Sequence, residues 1–476
     1  MLPLFSYIRE CRTEKLTLCL LWSLLGCGLV ATLAGFSGLF YPVLSLILIV
    51  PAGILGVLVF RVLRSICSFE FKLTEKLTIG VLMSIWILHS LQLFVPETGF
   101  DAVWYHLPVA HQNVLAHKFT FNPSLYQSVN PLFSDSIFTL GYMWAGEFGT
   151  KLVGYLFTLT LVFLSYNLST KFVDRSLGLL FVALVSCFQV VAWQASSFYI
   201  DVAVAVWLIG LVWFSLELWE KDHVSSWLVA GLCFGAVIAS KLFLIVLVPL
   251  IFLLLLVNRN QNVRGFWLFW VAAVMTVLPH YGFAWWHLGN PFYSLFHHVN
   301  GIGDISTEKT AIDYLVRQTT WLPTIAWTIG FSRDYTTPLL WLFLPSSVFF
   351  WSKKILNHPD RTPLKILFVF STTLLVIWWY VPPLSVRYGL AGFITALLFT
   401  LTVMANYLEQ RKPKLCVALP FFLLMFVVVA MTPRLYVGAR SMKYILGYQT
   451  KHQYLNQFLD GNIDVVLKKW HRQTFE

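Results

Sequence analysis

Apolar runs of about twenty residues follow one another along this chain, from Leu16 to near Thr432. A helix needs about 20 apolar residues to cross a bilayer, so this one feature confines the chain to a membrane. With 58% hydrophobic and only 12% charged residues, against about 25% charged in a soluble domain, it could not cover its surface in water. A membrane barrel would alternate apolar and polar residues in strands of about ten. These runs are continuous, and the expected fold is an all-α polytopic membrane protein.

Thirteen spans are expected, near residues 16–35, 39–60, 77–95, 150–169, 177–196, 202–219, 226–240, 242–257, 266–286, 338–352, 364–382, 389–408 and 415–432. The first follows Arg9, Arg12 and Lys15, as a signal peptide would. A second apolar run begins almost at once, at Leu39, with no clear cleavage site between, so it reads as a retained span. The net charge of +11 would raise nucleic acid as a partner in a soluble protein. Here the basic residues gather in short loops on alternate sides: Arg61, Arg64, Lys72 and Lys76; Lys171 and Arg175; Lys221; Arg259 and Arg264; Lys353, Lys354 and Arg361; Arg411, Lys412 and Lys414. By the positive-inside rule that side is cytoplasmic. The N-terminus is then inside, and the loops 96–150 and 287–337 and the tail 433–476 are outside. Two segments result, a membrane domain over 1–432 and a short outer tail over 433–476. No nucleic-acid partner is expected, and no internal repeat or low-complexity segment is visible. The seven Cys are scattered, with no CxxC pair, which argues against a disulfide framework or cysteine zinc site.

With no core-building soluble domain, chemistry must sit among the spans and outer loops. Asp101 lies just beyond the third span and is followed by Trp104, Tyr105 and His106. An acid there can be a plain helix cap, but aromatic and imidazole groups beside an acid suit sugar binding. From Val103 to His117 the pattern is amphipathic. Val103, Leu107, Ala110 and Val114 form one stripe, and His106, Asn113 and His117 another. Such a helix would lie in the interface with its apolar side down, kinked or started by Pro108. Asp201 stands at the head of an apolar run. It suits an N-cap, yet an acid at the membrane edge is also a functional candidate. Lys241 is flanked by apolar residues and reads either as a snorkelling anchor or as a functional cation. Arg387, with Tyr388, could clamp a phosphate with two parallel bonds or anchor the interface. His106, His111 and His117 are spaced five and six apart, not four as in HExxH. His287, His297 and His298 lie on the second outer loop. No cofactor is expected, and a divalent metal on these histidines is the minor alternative.

Taken in order, these residues resemble the GT-C fold membrane glycosyltransferases, the superfamily of protein mannosyltransferases and aminoarabinose transferases. Asp101 with Tyr105-His106-Leu107-Pro108 is similar to their first outer loop, and the segment around Asp201 to their second outer acid. Lys241 after Gly235 resembles a Gly…Lys signature. Gly289-Asn290-Pro291-Phe292-Tyr293 resembles a turn that bacterial members carry. Arg387-Tyr388 resembles a later Arg-Tyr pair, and Gly447-Tyr448 through Tyr454-Leu455 a motif after the last span. Phe100 stands where many relatives have a second acid. The resemblance implies about 13 transmembrane helices, with interfacial helices in the first long outer loop. It also implies transfer of a sugar from a polyprenyl-phosphate donor to a lipid, glycan or protein acceptor, at the outer face of a bacterial inner membrane. Asp101 would be the general base. Asp201 and His106 would orient the acceptor or organise Asp101. Lys241 and Arg387, with Tyr105 and Tyr388, would bind substrate. A transporter or flippase, or a polymerase or ligase of lipid-linked glycans, is the alternative.

Overall fold

In hydrocarbon a backbone finds no water and must satisfy its own N–H and C=O groups, so each apolar run folds as a helix. The computed structural model of the protein describes residues 2–68, 72–221, 223–257, 262–293, 328–330, 336–351, 362–380 and 385–457. Along them run α1 (Leu2–Ser37), α2 (Ile49–Ser68), α3 (Leu73–Leu91), α4 (Leu107–Leu115), α5 (Phe133–Ser169), α6 (Arg175–Ser186), α7 (Gln189–Gln194), α8 (Asp201–Lys221), α9 (Val224–Ile238), α10 (Val248–Val257), α11 (Val263–Leu288), α12 (Phe343–Trp351), α13 (Thr362–Tyr380), α14 (Leu390–Arg411), α15 (Pro413–Ile445) and α16 (Lys451–Asn456). Among the described residues, nine helices are long and apolar enough to cross a membrane. Shorter apolar helices at Arg175–Ser186, Val224–Ile238, Leu242–Leu256 and Pro338–Trp351 occupy the other expected runs. Most of the second outer loop, with His297 and His298, lies outside the described residues, as do Arg259, Lys353, Lys354, Arg361 and 458–476 of the tail.

α8 and α14 form the buried centre, and α2 and α15 face outward over much of their length. α9 packs on both α8 and α11. Gly231 and Gly235 of α9 make that approach close, because a Cβ on either would press into the α11 backbone at Phe269 or Ala273. Small residues four apart are the usual means of bringing membrane helices together.

Three boundaries differ from the sequence reading, each for a local reason. The fifth expected span breaks at Cys187 and Phe188 into α6 and α7, and the Cys187 carbonyl accepts from Arg434 Nη2 at 2.5 Å. The last expected span does not end at 432, because α15 runs through Pro433 to Ile445. The fourth does not start at 150. α5 starts at Phe133, and its backbone leaves helical geometry at Ala145 and Gly146, where Gly146 takes φ 57°. The chain doubles back there as a helical hairpin. Gly141 and Gly149 cross so closely that a Cβ on Gly149 would overlap the Gly141 carbonyl oxygen. Phe138 on the first arm stacks on Phe157 of the second, with ring centroids 5.7 Å apart. Part of the expected outer loop is therefore a helical arm, 133–144, buried from Phe133 to Gly141 and inserted into the bundle beside Trp207 of α8.

The helix expected after Asp101 forms as far as Leu115, and most of both stripes is buried. Val103, Leu107 and Ala110 are covered as expected, and so are His106 and Asn113. The polar stripe can be buried because it finds partners: Asn113 Oδ1 accepts from Thr120 N and Oγ1, and His106 meets Asp135. α4 thus packs against α5. Pro108 is accommodated by a π-helical turn over Ala102–His106, closed by the Leu107 N–H on the Ala102 carbonyl. Pro108 sits in the first turn of α4, where a missing N–H costs little.

The hairpin makes Gly149 a sensitive position. Gly149→Val should destabilise the protein by at least the roughly 1–3 kcal/mol typical of overpacking. Thermal unfolding in detergent measures this, and an unchanged midpoint would mean that the arms do not cross at this residue.

Candidate functional site

Antiparallel spans bring distant sequence to one end of the bundle. Asp101 follows α3, Asp201 opens α8, Lys241 follows α9, and Arg387 lies in the short turn Val386–Gly389 that precedes α14. There the four side chains meet. Arg387 Nη1 donates to Asp101 Oδ2 at 2.5 Å. Lys241 Nζ donates to Asp201 Oδ1. Tyr388 ties the pairs together: Lys241 Nζ stands 4.3 Å and Arg387 Cζ 4.7 Å from its ring centroid. Arg387 Nη2 also donates to the Tyr388 hydroxyl at 2.6 Å. Lys241 and Arg387 are therefore turned toward acids inside the bundle. Asp201 is both the first residue of its helix and half of an ion pair, as the two readings of its position allow.

Beside this cluster lies a small cleft, partly open to solvent. Asp201, Lys241, Arg387 and Tyr388 line its polar end. Val204, Ala205, Leu208, Leu244, Leu390 and Ala391 form its apolar walls. The cleft thus has charged side chains at one end and apolar side chains along the other. Buried ion pairs are poor sources of stability, since well-packed apolar residues often do as well. Here Asp201 is buried, while Asp101, Lys241 and Arg387 are each partly exposed.

A second set of residues holds the two acid-bearing loops together, and the sequence reading missed it. Glu97 is 4% exposed, and both its carboxylate oxygens are engaged. Oε1 accepts from Thr98 N at 2.9 Å, Gly99 N at 2.8 Å and Ser197 Oγ at 2.8 Å, and Oε2 accepts from Phe198 N at 3.1 Å. Its own N–H donates to Glu147. The Asp101 N–H donates to the Tyr199 hydroxyl at 2.9 Å. Gln194 completes the set, donating to Asp201 Oδ2 at 2.7 Å while its own oxygen accepts from Val202 N at 3.1 Å. Burial first, and nearby Asp101 next, push the phenols of Tyr105 and Tyr199 above their ordinary range, so both keep their protons. An acid in a loop, such as Glu97, gives no sequence sign of burial. Only the adjacent Thr98-Gly99, a short turn able to wrap a carboxylate, could have hinted at it.

His106 pairs with an acid other than Asp101. Its Nδ1 lies 2.5 Å from Asp135 Oδ1, and its ring packs between Tyr105 and Phe198. Asp135, on the buried arm of α5, was also not foreseen, because its stretch read as loop. The other described histidines of the two outer loops do not converge with it. His111 Nδ1 meets the Tyr142 hydroxyl, His117 Nδ1 the Phe40 carbonyl, and His287 stacks on Phe121. Among the described residues no three His, Cys, Asp or Glu side chains gather as metal ligands would. Gly289, left-handed at φ 67°, ends α11, and Asn290 Oδ1 accepts from Phe292 N, so the Gly-Asn-Pro segment is indeed a turn.

Residues 131–286 match the family model of dolichyl-phosphate-mannose-protein mannosyltransferase, a family of GT-C type membrane glycosyltransferases. The matched stretch contains Asp135, Asp201 and Lys241, while Asp101, His106, Arg387 and Tyr388 lie outside it. No curated protein matches the chain.

Glu97 provides a test of how the site is held. In Glu97→Gln one oxygen becomes an NH2 group facing backbone or hydroxyl donors, leaving at least one buried donor unpaired at about 1–3 kcal/mol. The thermal midpoint in detergent should fall. A parent-like midpoint would show that the carboxylate does not clip the two loops.

Proposed function

We propose that this membrane glycosyltransferase of the GT-C type moves a sugar from a polyprenyl-phosphate donor to a lipid, glycan or protein acceptor, with Asp101 as general base. The observation that carries this reading is the cleft itself, two cations at its polar end and apolar walls beyond. A polyprenyl-phosphate sugar has that polarity: an anionic phosphodiester on a long hydrocarbon chain.

The four charged side chains sum to zero, with Asp101 and Asp201 against Lys241 and Arg387. An entering phosphodiester adds one negative charge and competes with the carboxylates for the cations. Arg387 can turn from Asp101 to the phosphate, since its planar fork suits either anion. That exchange frees Asp101. The acceptor hydroxyl oxygen then attacks the anomeric carbon, and the bond from that carbon to the phosphate oxygen breaks with its electron pair left on the phosphate. The hydroxyl proton passes to Asp101. Lys241 and Arg387 stabilise the charge growing on the leaving phosphate, which is greater than in the donor. Asp201 and Gln194 hold Lys241 in place. Tyr105, protonated and beside Asp101, is a hydrogen-bond donor for the substrate.

The site faces the non-cytoplasmic side in this proposal, and the membrane is the bacterial inner membrane. The basic loops after α2, α5, α8 and α14 leave the bundle at the end opposite the site, as positive-inside loops should. The Gly289-Asn290-Pro291 turn is the bacterial feature. In a cysteine-free background, Cys in place of exposed Ser124 should label with an impermeant maleimide added outside intact cells, and Cys in place of Ser225 should not. The reverse pattern would invert the proposed topology.

Two variants test the roles in the reaction. Asp101→Asn should lower turnover by at least about 100-fold, the low end of base catalysis. Lys241→Met should weaken binding of a polyprenyl phosphate by about 1.5–3 kcal/mol, the worth of a hydrogen bond to a charged group, which is tenfold or more in affinity. Transfer of labelled sugar from polyprenyl phosphate, followed by thin-layer chromatography, and competition binding in detergent read the two effects. Turnover preserved in Asp101→Asn removes the base, and unchanged lipid-phosphate affinity in Lys241→Met removes the clamp.

A further inference from the structure

The buried arm 133–144 is attached at its start to both halves of the site. Phe133 N donates to the Ala239 carbonyl at 2.9 Å, and Ser134 Oγ lies 2.6 Å from Ser240 Oγ. Ser240 directly precedes Lys241. Trp207 Nε1 donates to Ser134 Oγ at 3.1 Å and fixes it further. One residue on, Asp135 Oδ1 meets His106 Nδ1 at 2.5 Å, with both residues buried. His106 closes the π turn that begins immediately after Asp101. Three consecutive residues, Phe133, Ser134 and Asp135, thus span from the cation that faces the donor phosphate to the loop that carries the base.

The contact is defined from both sides. Asp135 lies in the first turn of its helix, where the helix dipole favours a carboxylate. The His106 ring is held by Tyr105 at 4.1 Å and Phe198 at 5.0 Å between centroids, and Phe198 stacks on Phe138 of the same arm at 4.6 Å. Phe198 also belongs to the loop that leads into Asp201. The imidazole has little freedom except rotation about its own plane, and the Asp135 carboxylate removes that. As folding glue, a buried His–Asp pair gains little over two apolar side chains. As a strut that sets the distance and angle between base and clamp, it gains a geometry that apolar packing does not specify.

We propose that Asp135 is a positioning residue of the transferase site, fixing His106 and through it the aim of Asp101 relative to Lys241. This rests on the reading of the site given above. Asp135 touches neither the donor phosphate nor the acceptor in this assignment. It acts through His106, and its loss should appear in turnover and not in donor affinity.

The test uses the full-length protein in detergent or liposomes, with labelled polyprenyl-phosphate sugar as donor. Asp135→Asn keeps an acceptor for the His106 N–H and should stay within about threefold of the parent in kcat. Asp135→Leu removes the acceptor and should lose tenfold or more in kcat, with the donor KM within twofold. The double variant Asp135→Leu with His106→Phe replaces the pair by apolar side chains. It should unfold at a temperature close to the parent's while remaining as slow as Asp135→Leu alone. Three results overturn the proposal: parent-like kcat in Asp135→Leu, a loss expressed in donor KM, or recovery of kcat in the folded double variant. A parent protein that transfers no sugar overturns the functional reading and this inference with it. A parent that transfers sugar while Asp135→Leu matches it overturns this inference alone.

Discussion

Everything at the open end of this bundle depends on charge neutralised inside a poorly polarisable surrounding. Charges at membrane depth are costly unless paired, and here two acids and two bases pair across Tyr388. The pairing dictates which helices must meet. Arg387 before α14 has to reach Asp101 after α3, and Lys241 after α9 has to reach Asp201 at the head of α8. Of the nine long apolar helices, α8 and α14 have the most buried apolar stretches, and their first turns carry or follow a member of this quartet. Hydrophobic burial gives the helices no reason to prefer one neighbour over another in lipid, so specific polar contacts have more influence on the arrangement than they would in a soluble core.

The same quartet is a closed circuit, each cation already holding an anion. Under the proposed function a lipid phosphate would bind by substitution, gaining only the difference between its own contacts and those of the carboxylate it displaces. Its affinity would be moderated, and the displaced carboxylate would become available as the donor arrives. Charge exchange of this kind would couple occupancy to reactivity without a moving domain.

Much of this was legible in the sequence. Helices in a membrane are written in runs of apolar residues, and all thirteen expected runs hold a helix among the described residues. Asp101, Asp201, Lys241 and Arg387 stood out because a charge beside an apolar run has few innocent explanations. Asp135 and Glu97 did not stand out. They lie in a stretch whose polar character suggested an outer loop, and burial by folding back leaves no periodic trace. Gly141, Gly146 and Gly149 were the available signal, but a glycine does not announce which backbone it lets approach. Gln194 was hidden for another reason: an uncharged amide near a helix end is unremarkable until its two partners are known. The interfacial helix was legible as a helix and not as a buried one, since the partners of its polar stripe come from elsewhere in the chain.

The π turn between Asp101 and α4 has its own consequence. A π turn is one residue wound in excess into an α-helix, so the residues on either side are out of phase by about 100° relative to a regular helix. Asp101 and His106 therefore do not share the face that simple α-helical counting would give them. A deletion of one residue between them would relax the turn into ordinary α-helix and leave composition and hydropathy almost untouched. It would also swing the acid around the helix axis, away from Arg387. Chain length in this short segment is in that sense a register that sets where the acid stands relative to Arg387.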